Sequence, residues 1–153
     1  MSQSTPANPG NPGSASSPLQ VVCAVIENET GQFLSAQRGP DMSFAGKWEF
    51  PGGKVEIGEE TTAALIREIQ EELGCTVEII ETLIPSTSMH SKGTLRLIPF
   101  RCRITHGTPV ANEHSALIWA HPRDLGVLDW VPADLPIVAE VIERYGNPFA
   151  IFT

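Results

Sequence analysis

From Leu19 onward the chain alternates short apolar runs with clusters of turn-forming residues. The run Leu19-Gln20-Val21-Val22-Cys23-Ala24-Val25-Ile26 is β-branched and mostly apolar, the pattern of a buried strand. Asn28-Glu29-Thr30-Gly31 has turn chemistry, and Gln32 to Arg38 returns as a second strand. Residues 39–47 then form a polar loop. From Thr61 to Leu73 the period changes: Leu65, Ile69 and Leu73 recur every fourth residue, which predicts a helix that Gly74 ends. Glu59 and Glu60 at its start favour the helix dipole. Thr76 to Ser88 and Thr94 to Thr105 predict two long strands around Ser91-Lys92-Gly93, and Ala116 to Ala120 predicts another. A last helix is expected from Ala133 to Tyr145, with Pro132 and Pro136 at or before its first turn. Strands interrupted by two well-separated helices predict an α/β protein, a mixed β-sheet sandwiched between helices on both faces.

Composition sets the bounds. The 153 residues suffice for one domain with one buried core. Residues 1–18, rich in Pro, Gly, Ser and Asn, have no apolar period and predict a disordered tail. They also lack the basic start and apolar middle of a secretory signal. The domain is expected over 19–146, with 147–153 as a short C-terminal tail. No apolar run approaches the roughly 20 residues of a membrane helix. A formal net charge of −8 without a Lys/Arg-rich run argues against a nucleic-acid polymer as partner. Three cysteines without a CxxC pair argue against a disulfide framework or zinc site and suit a reducing cytoplasm.

The chemistry concentrates on the first helix. Glu68, Glu71 and Glu72 cluster away from the Leu65/Ile69/Leu73 face, at spacings where like charges repel by a few tenths of a kcal/mol per pair. They also lie in the C-terminal half, where the helix dipole disfavours anions. Arg67 can relieve Glu71 at the i,i+4 spacing but cannot neutralise three carboxylates. Alone, such a face is most often simply solvated; a hard divalent cation with oxygen ligands would also resolve the repulsion.

The surroundings of that helix extend the pattern. Gly53, Glu59 and Arg67-Glu68-Ile69-Gln70-Glu71-Glu72-Leu73-Gly74-Cys75 match the Nudix box, G-x5-E-x7-R-E-U-x-E-E-x-G-U with U apolar, and Cys75 is its loosest fit. Trp48-Glu49-Phe50-Pro51-Gly52-Gly53-Lys54-Val55-Glu56 is similar to the MutT-type subgroup of that family, and the resemblance runs from Leu19 to about Ile142. It implies the Nudix fold and a metal-dependent hydrolase of phosphoric anhydride bonds. The implied cofactor is Mg²⁺, with Mn²⁺ as the alternative. Implied metal ligands are Glu68 and Glu72, Glu71 directly or through water, the Gly52 carbonyl, and Glu113 on the loop before Ala116. Glu68, Glu71 and Glu113 are the implied candidates for general base, with Glu68 first. Gly53, Glu59, Arg67 and Gly74 are implied to be structural. Arg38, Glu49, Phe50, Pro51, Gly52 and Asp134 are implied to meet substrate; for Phe50 a core role competes, and for Arg38 an exposed strand end. His90, His106, His114 and His121 lie at no ligand-like spacing and receive no role.

The resemblance further implies a small-molecule partner, a nucleoside triphosphate split to monophosphate and pyrophosphate, in a monomer or homodimer that cleanses the nucleotide pool. Asp134 falls where MutT-type enzymes read the base. Ionised, it only accepts hydrogen bonds and suits the cytosine amino group; protonated, it could serve 8-oxoguanine; or it caps the last helix. 8-oxo-dGTP is therefore expected first, with CTP or dCTP as the alternative. Branches that act on ADP-ribose usually carry a proline where this chain reads Met89-His90-Ser91. Diadenosine polyphosphate branches usually carry a tyrosine there, whereas this chain's single tyrosine is Tyr145. Two readings of other classes stand beside the enzyme: a non-catalytic nucleotide sensor, and an interaction role through the Pro-rich tail.

Overall fold

The computed structural model describes residues 18–90 and 92–146, so the expected tails (Pro18 apart) and Ser91 lie outside the described residues. Among the described residues, eight strands and two α-helices follow in the order β1 (Leu19–Ile26), β2 (Phe33–Gln37), β3 (Trp48–Glu49), β4 (Gly52–Lys54), α1 (Thr61–Leu73), β5 (Thr76–Thr82), β6 (Ser86–His90), β7 (Gly93–His106), β8 (Ala116–Ala120) and α2 (Leu135–Tyr145).

β1 is the centre of the larger sheet. It pairs parallel with β7 on one side and antiparallel with β4 on the other, which makes the sheet mixed. Its alternate residues face opposite layers, as a period of two requires. Val22, Ala24 and Ile26 join the cluster under α1, with Leu65, Ile69 and Leu73. Cys23 and Val25 join the cluster under α2, with Ile137, Val138 and Val141. Burial on both faces is why this strand reads as a continuous apolar run, and the two clusters are the expected α/β/α layers.

Three expectations change. The predicted strand Thr76 to Ser88 is two strands, β5 and β6, which pair with different halves of the long β7. Pro85 sits in the break and supplies no N–H for the ladder. The last helix begins at Leu135 rather than Ala133, behind a 3-10 turn at Pro132–Asp134. The single sheet becomes two, because β2, β3 and β8 form a separate three-stranded sheet. Trp48-Glu49 belongs to this smaller sheet and Gly52-Gly53-Lys54 to the larger one, so Phe50-Pro51 carries the chain between them.

The far edge of α2 is fixed by Glu81, which accepts from Arg101 Nε at 2.8 Å, Arg144 Nη2 at 3.0 Å and the Tyr145 hydroxyl at 3.0 Å. Those bonds, from Arg101 first, hold its carboxyl down at about 2. Cys23, Cys75 and Cys102 are free and buried. No helix among the described residues is long and apolar enough to cross a membrane.

Candidate functional site

The two glycines of β4 explain how the site is assembled. A Cβ at Gly52 would collide with the Val22 carbonyl oxygen, so this position lets β4 lie directly on the β1 backbone. A Cβ at Gly53 would collide with the Glu68 carboxylate, so this one lets the α1 side chain rest on the strand. Neither glycine has positive φ; both are needed for close approach. Gly74 differs, closing α1 in the left-handed region at φ 71° with its N–H bonded to the Gln70 carbonyl.

Arg67 organises the loop before α1. Its Nε lies 2.8 Å from Glu59 Oε2 and its Nη2 3.0 Å from Glu59 Oε1, a two-pronged grip that also reaches the Lys54 carbonyl at 3.1 Å. The remaining nitrogen, Nη1, is 3.0 Å from Glu68 and 3.4 Å from Glu71. One guanidinium thus ties residues 54–59 to the helix and orients two of its acids.

Glu68 and Glu72 are half-buried, whereas Glu71 and Glu113 are exposed. Burial raises the Glu68 carboxyl above its ordinary range, against the opposing pull of Arg67. Glu72 is pushed up to about 8, first by burial and then by the charges of Glu49, Glu68 and Glu113. Its Oε1 is buried without a hydrogen-bond partner. An orphaned carboxylate oxygen among further acids, beside a glycine cradle, fits a hard divalent cation. No trio of His, Cys, Asp or Glu is drawn into a tight ligand set among the described residues. Glu68 is turned towards Arg67, at 3.0 Å.

Beside these acids a cleft of about 670 Å³ opens, a volume suited to a nucleotide-sized ligand. Glu72, Gly53, Glu49 and Arg38 bring polar groups to it, and Leu19, Val21, Leu95 and Leu97 bring apolar ones. Arg38 Nη1 pairs with Glu49 Oε1 at 2.7 Å, so the strand-end arginine is not free in solvent. The Phe50 ring is 2% exposed and stacks on Trp130 with centroids 4.7 Å apart, which places it in the core under α2. Pro51 is fully buried at the crossing between sheets.

Asp134 also lines the cleft. It makes no side-chain cap to α2; instead its Oδ2 accepts the Phe50 N–H at 2.7 Å. It is 5% exposed, and burial pushes its carboxyl up to about 7 despite that bond.

His114 was missed by sequence reasoning. Its side chain is fully buried, and its Nε2 lies 2.8 Å from Glu49 Oε2. Nδ1 is buried without a partner, so a proton there would be unsatisfied and belongs on Nε2, donating to Glu49. The two residues lie 65 positions apart, and no local signal joins them. Glu49 is therefore gripped from both sides, by Arg38 and by His114.

The comparisons agree with this geometry. The family described as NUDIX domain matches residues 17–141. The CTP pyrophosphohydrolase of Escherichia coli K12 is 38% identical over 120 residues, covering 78% of this chain and 88% of that protein. The 8-oxo-dGTP diphosphatase of the same organism is 30% identical over 123 residues, covering 80% and 95%. The solution structure of the E. coli ORF135 protein superposes with a TM-score of 0.79 at 35% identity, covering 90% of this chain and 99% of that one. The box glycine under Glu68, the Arg67 clamp and the acids of α1 thus sit in a fold shared with pyrophosphohydrolases, and the chain belongs to the Nudix family as a hydrolase of that kind.

Proposed function

We propose that the protein is a metal-dependent nucleoside triphosphate pyrophosphohydrolase acting on non-canonical nucleotides such as 8-oxo-dGTP. The observation that carries this reading is one cleft lined both by Glu72 of α1 and, from the far end of the chain, by the buried Asp134. Glu68, Glu71, Glu72, Glu113 and the Gly52 carbonyl would hold Mg²⁺ or Mn²⁺. Bound there, the ion would neutralise phosphate charge and make a water more acidic. Arg38 and Glu49 border the same cleft, with Arg38 supplying positive charge for phosphate oxygens. Glu68, fixed by Arg67 and raised by burial, accepts the proton of the attacking water. Water adds to the β-phosphorus, and the α–β bridging oxygen leaves with the nucleoside monophosphate.

The alternative, a pyrimidine triphosphate, turns on the protonation of Asp134, whose carboxyl is pushed up to about 7. Ionised, it accepts from the cytosine amino group; protonated, it donates to an oxidised purine. The similarity to both a CTP pyrophosphohydrolase and an 8-oxo-dGTP diphosphatase is consistent with either base. A cytoplasmic place in nucleotide-pool cleansing belongs to the same proposal.

The test is Mg²⁺-dependent pyrophosphate release from 8-oxo-dGTP, CTP and dCTP, compared by kcat/KM at pH 6 and pH 8.5. Glu68→Gln should lower turnover by orders of magnitude. Tight nucleotide binding without turnover under any metal would replace the enzyme with a sensor.

A further inference from the structure

Among the described residues, Phe44 is the one non-glycine with positive φ, at 54°. A bulky side chain in the left-handed region is strained, and such strain persists only where neighbouring structure imposes it. Here the imposing contacts are visible. Arg38 and Lys47 are closed on each other by Arg38 N–H to the Lys47 carbonyl at 2.8 Å, and Gly46 N–H reaches the Arg38 carbonyl at 3.0 Å. Lys47 N–H bonds the Phe44 carbonyl itself at 3.0 Å. The Arg38 guanidinium donates through Nε to the Ser43 carbonyl and through Nη2 to Ser43 Oγ at 3.0 Å. The same group holds Glu49, so the turn that strains Phe44 is anchored to the polar groups of the cleft.

That strain delivers no core packing. Phe44 is 52% exposed, yet it lines the cleft, as does Met89 of β6, itself 78% exposed. Two large apolar side chains from separate elements therefore stand open to water on the walls that contain Asp134. An aromatic ring kept exposed at a cost, in a cleft that is also lined by the hydrogen-bonding carboxyl of Asp134, suits a flat heteroaromatic face.

We propose that Phe44 is a specificity-determining residue that covers the nucleobase of the bound nucleotide, contributing stacking area while Asp134 reads the edge. The inference rests on the reading of the cleft as a nucleoside triphosphate site. Because phosphate chemistry occurs at the α1 acids, Phe44 acts on binding and not on turnover.

The experiment compares Phe44→Ala, Phe44→Gly and Phe44→Trp with the wild type by steady-state kinetics on the preferred triphosphate and by thermal melting. KM should rise roughly tenfold or more in the alanine and glycine variants, the scale of one lost base stack, with kcat little changed. Phe44→Trp should hold KM near the wild-type value. Phe44→Gly should melt at or above the wild-type temperature, because glycine tolerates the turn. Inhibition by inorganic tripolyphosphate, which has no base, should be equal in wild type and Phe44→Ala. Unchanged KM in both small variants would overturn the Phe44 assignment while leaving the enzyme reading intact. So would a melting loss in Phe44→Gly that tracks its activity loss, or a parallel change in tripolyphosphate inhibition. A wild type that hydrolyses no triphosphate would overturn the reading of the cleft itself.

Discussion

Asp134→Asn separates the electrostatics of the cleft from its shape. The amide is nearly isosteric, and its oxygen can keep the 2.7 Å bond from the Phe50 N–H. The carboxyl it replaces is held at about 7, against an ordinary value of 3.8, chiefly by burial. A folded-state pKa above the unfolded one means that the folded protein binds the proton more tightly. The stability this contributes is full below about pH 4 and is lost as pH rises through about 7. Integrating that difference from pH 5 to pH 8 gives about 2–3 kcal/mol lost by the wild type from this group alone. Asparagine does not titrate, so the variant should gain on the wild type by about that amount across the interval. Urea unfolding of both proteins at half-unit steps from pH 5 to pH 8 measures it. Titrating groups that do not interact with Asp134 cancel in the difference. Two stability curves that run parallel would refute the buried-acid reasoning. The same pair of proteins tests base reading: Asp134→Asn should change the order of 8-oxo-dGTP and CTP by kcat/KM, and should remove any pH dependence of that order.

Further outcomes follow from the close contacts of the site. Gly53→Ala drives a methyl into the Glu68 side chain, whose end can rotate away, so the fold should survive while kcat falls by about a hundredfold or more. Gly52→Ala meets the Val22 backbone instead and should reduce soluble, cooperatively melting protein; circular dichroism with activity on one preparation distinguishes the two. Mg²⁺ should raise the melting temperature of the wild type by mass action and do so much less for Glu72→Gln. An equal shift in that variant would remove Glu72 from the metal site. His114→Gln can keep a donor towards Glu49 and should retain more activity than His114→Ala; equal losses at matched stability would show that the hydrogen bond is immaterial.

Much of this molecule was legible because its signals are local. The four-residue recurrence of Leu65, Ile69 and Leu73 requires a helix with one buried face, and Gly74 ends it in a conformation that glycine adopts cheaply. The unbroken apolar run of β1 required a strand covered on both sides, and the two clusters deliver that. The acids of α1 announced an electrostatic problem from spacing alone, and the motif around them gave its chemical meaning. What failed was also local in origin. Periodicity cannot register a change of partner, so β5 and β6 read as one strand although they meet different halves of β7.

The sequence by itself determined the layers, the acid-bearing helix and the family, because each rests on residues a few positions apart. The tertiary structure decided what those residues face. It turned Asp134 from a plausible cap into a buried acid bonded to Phe50, 84 positions away, and it buried His114 against Glu49. It also packed the Phe50 ring on Trp130 at the base of the cleft it lines and left Phe44 exposed there. Burial and charge coupling depend on through-space distance, and only the folded chain sets those distances.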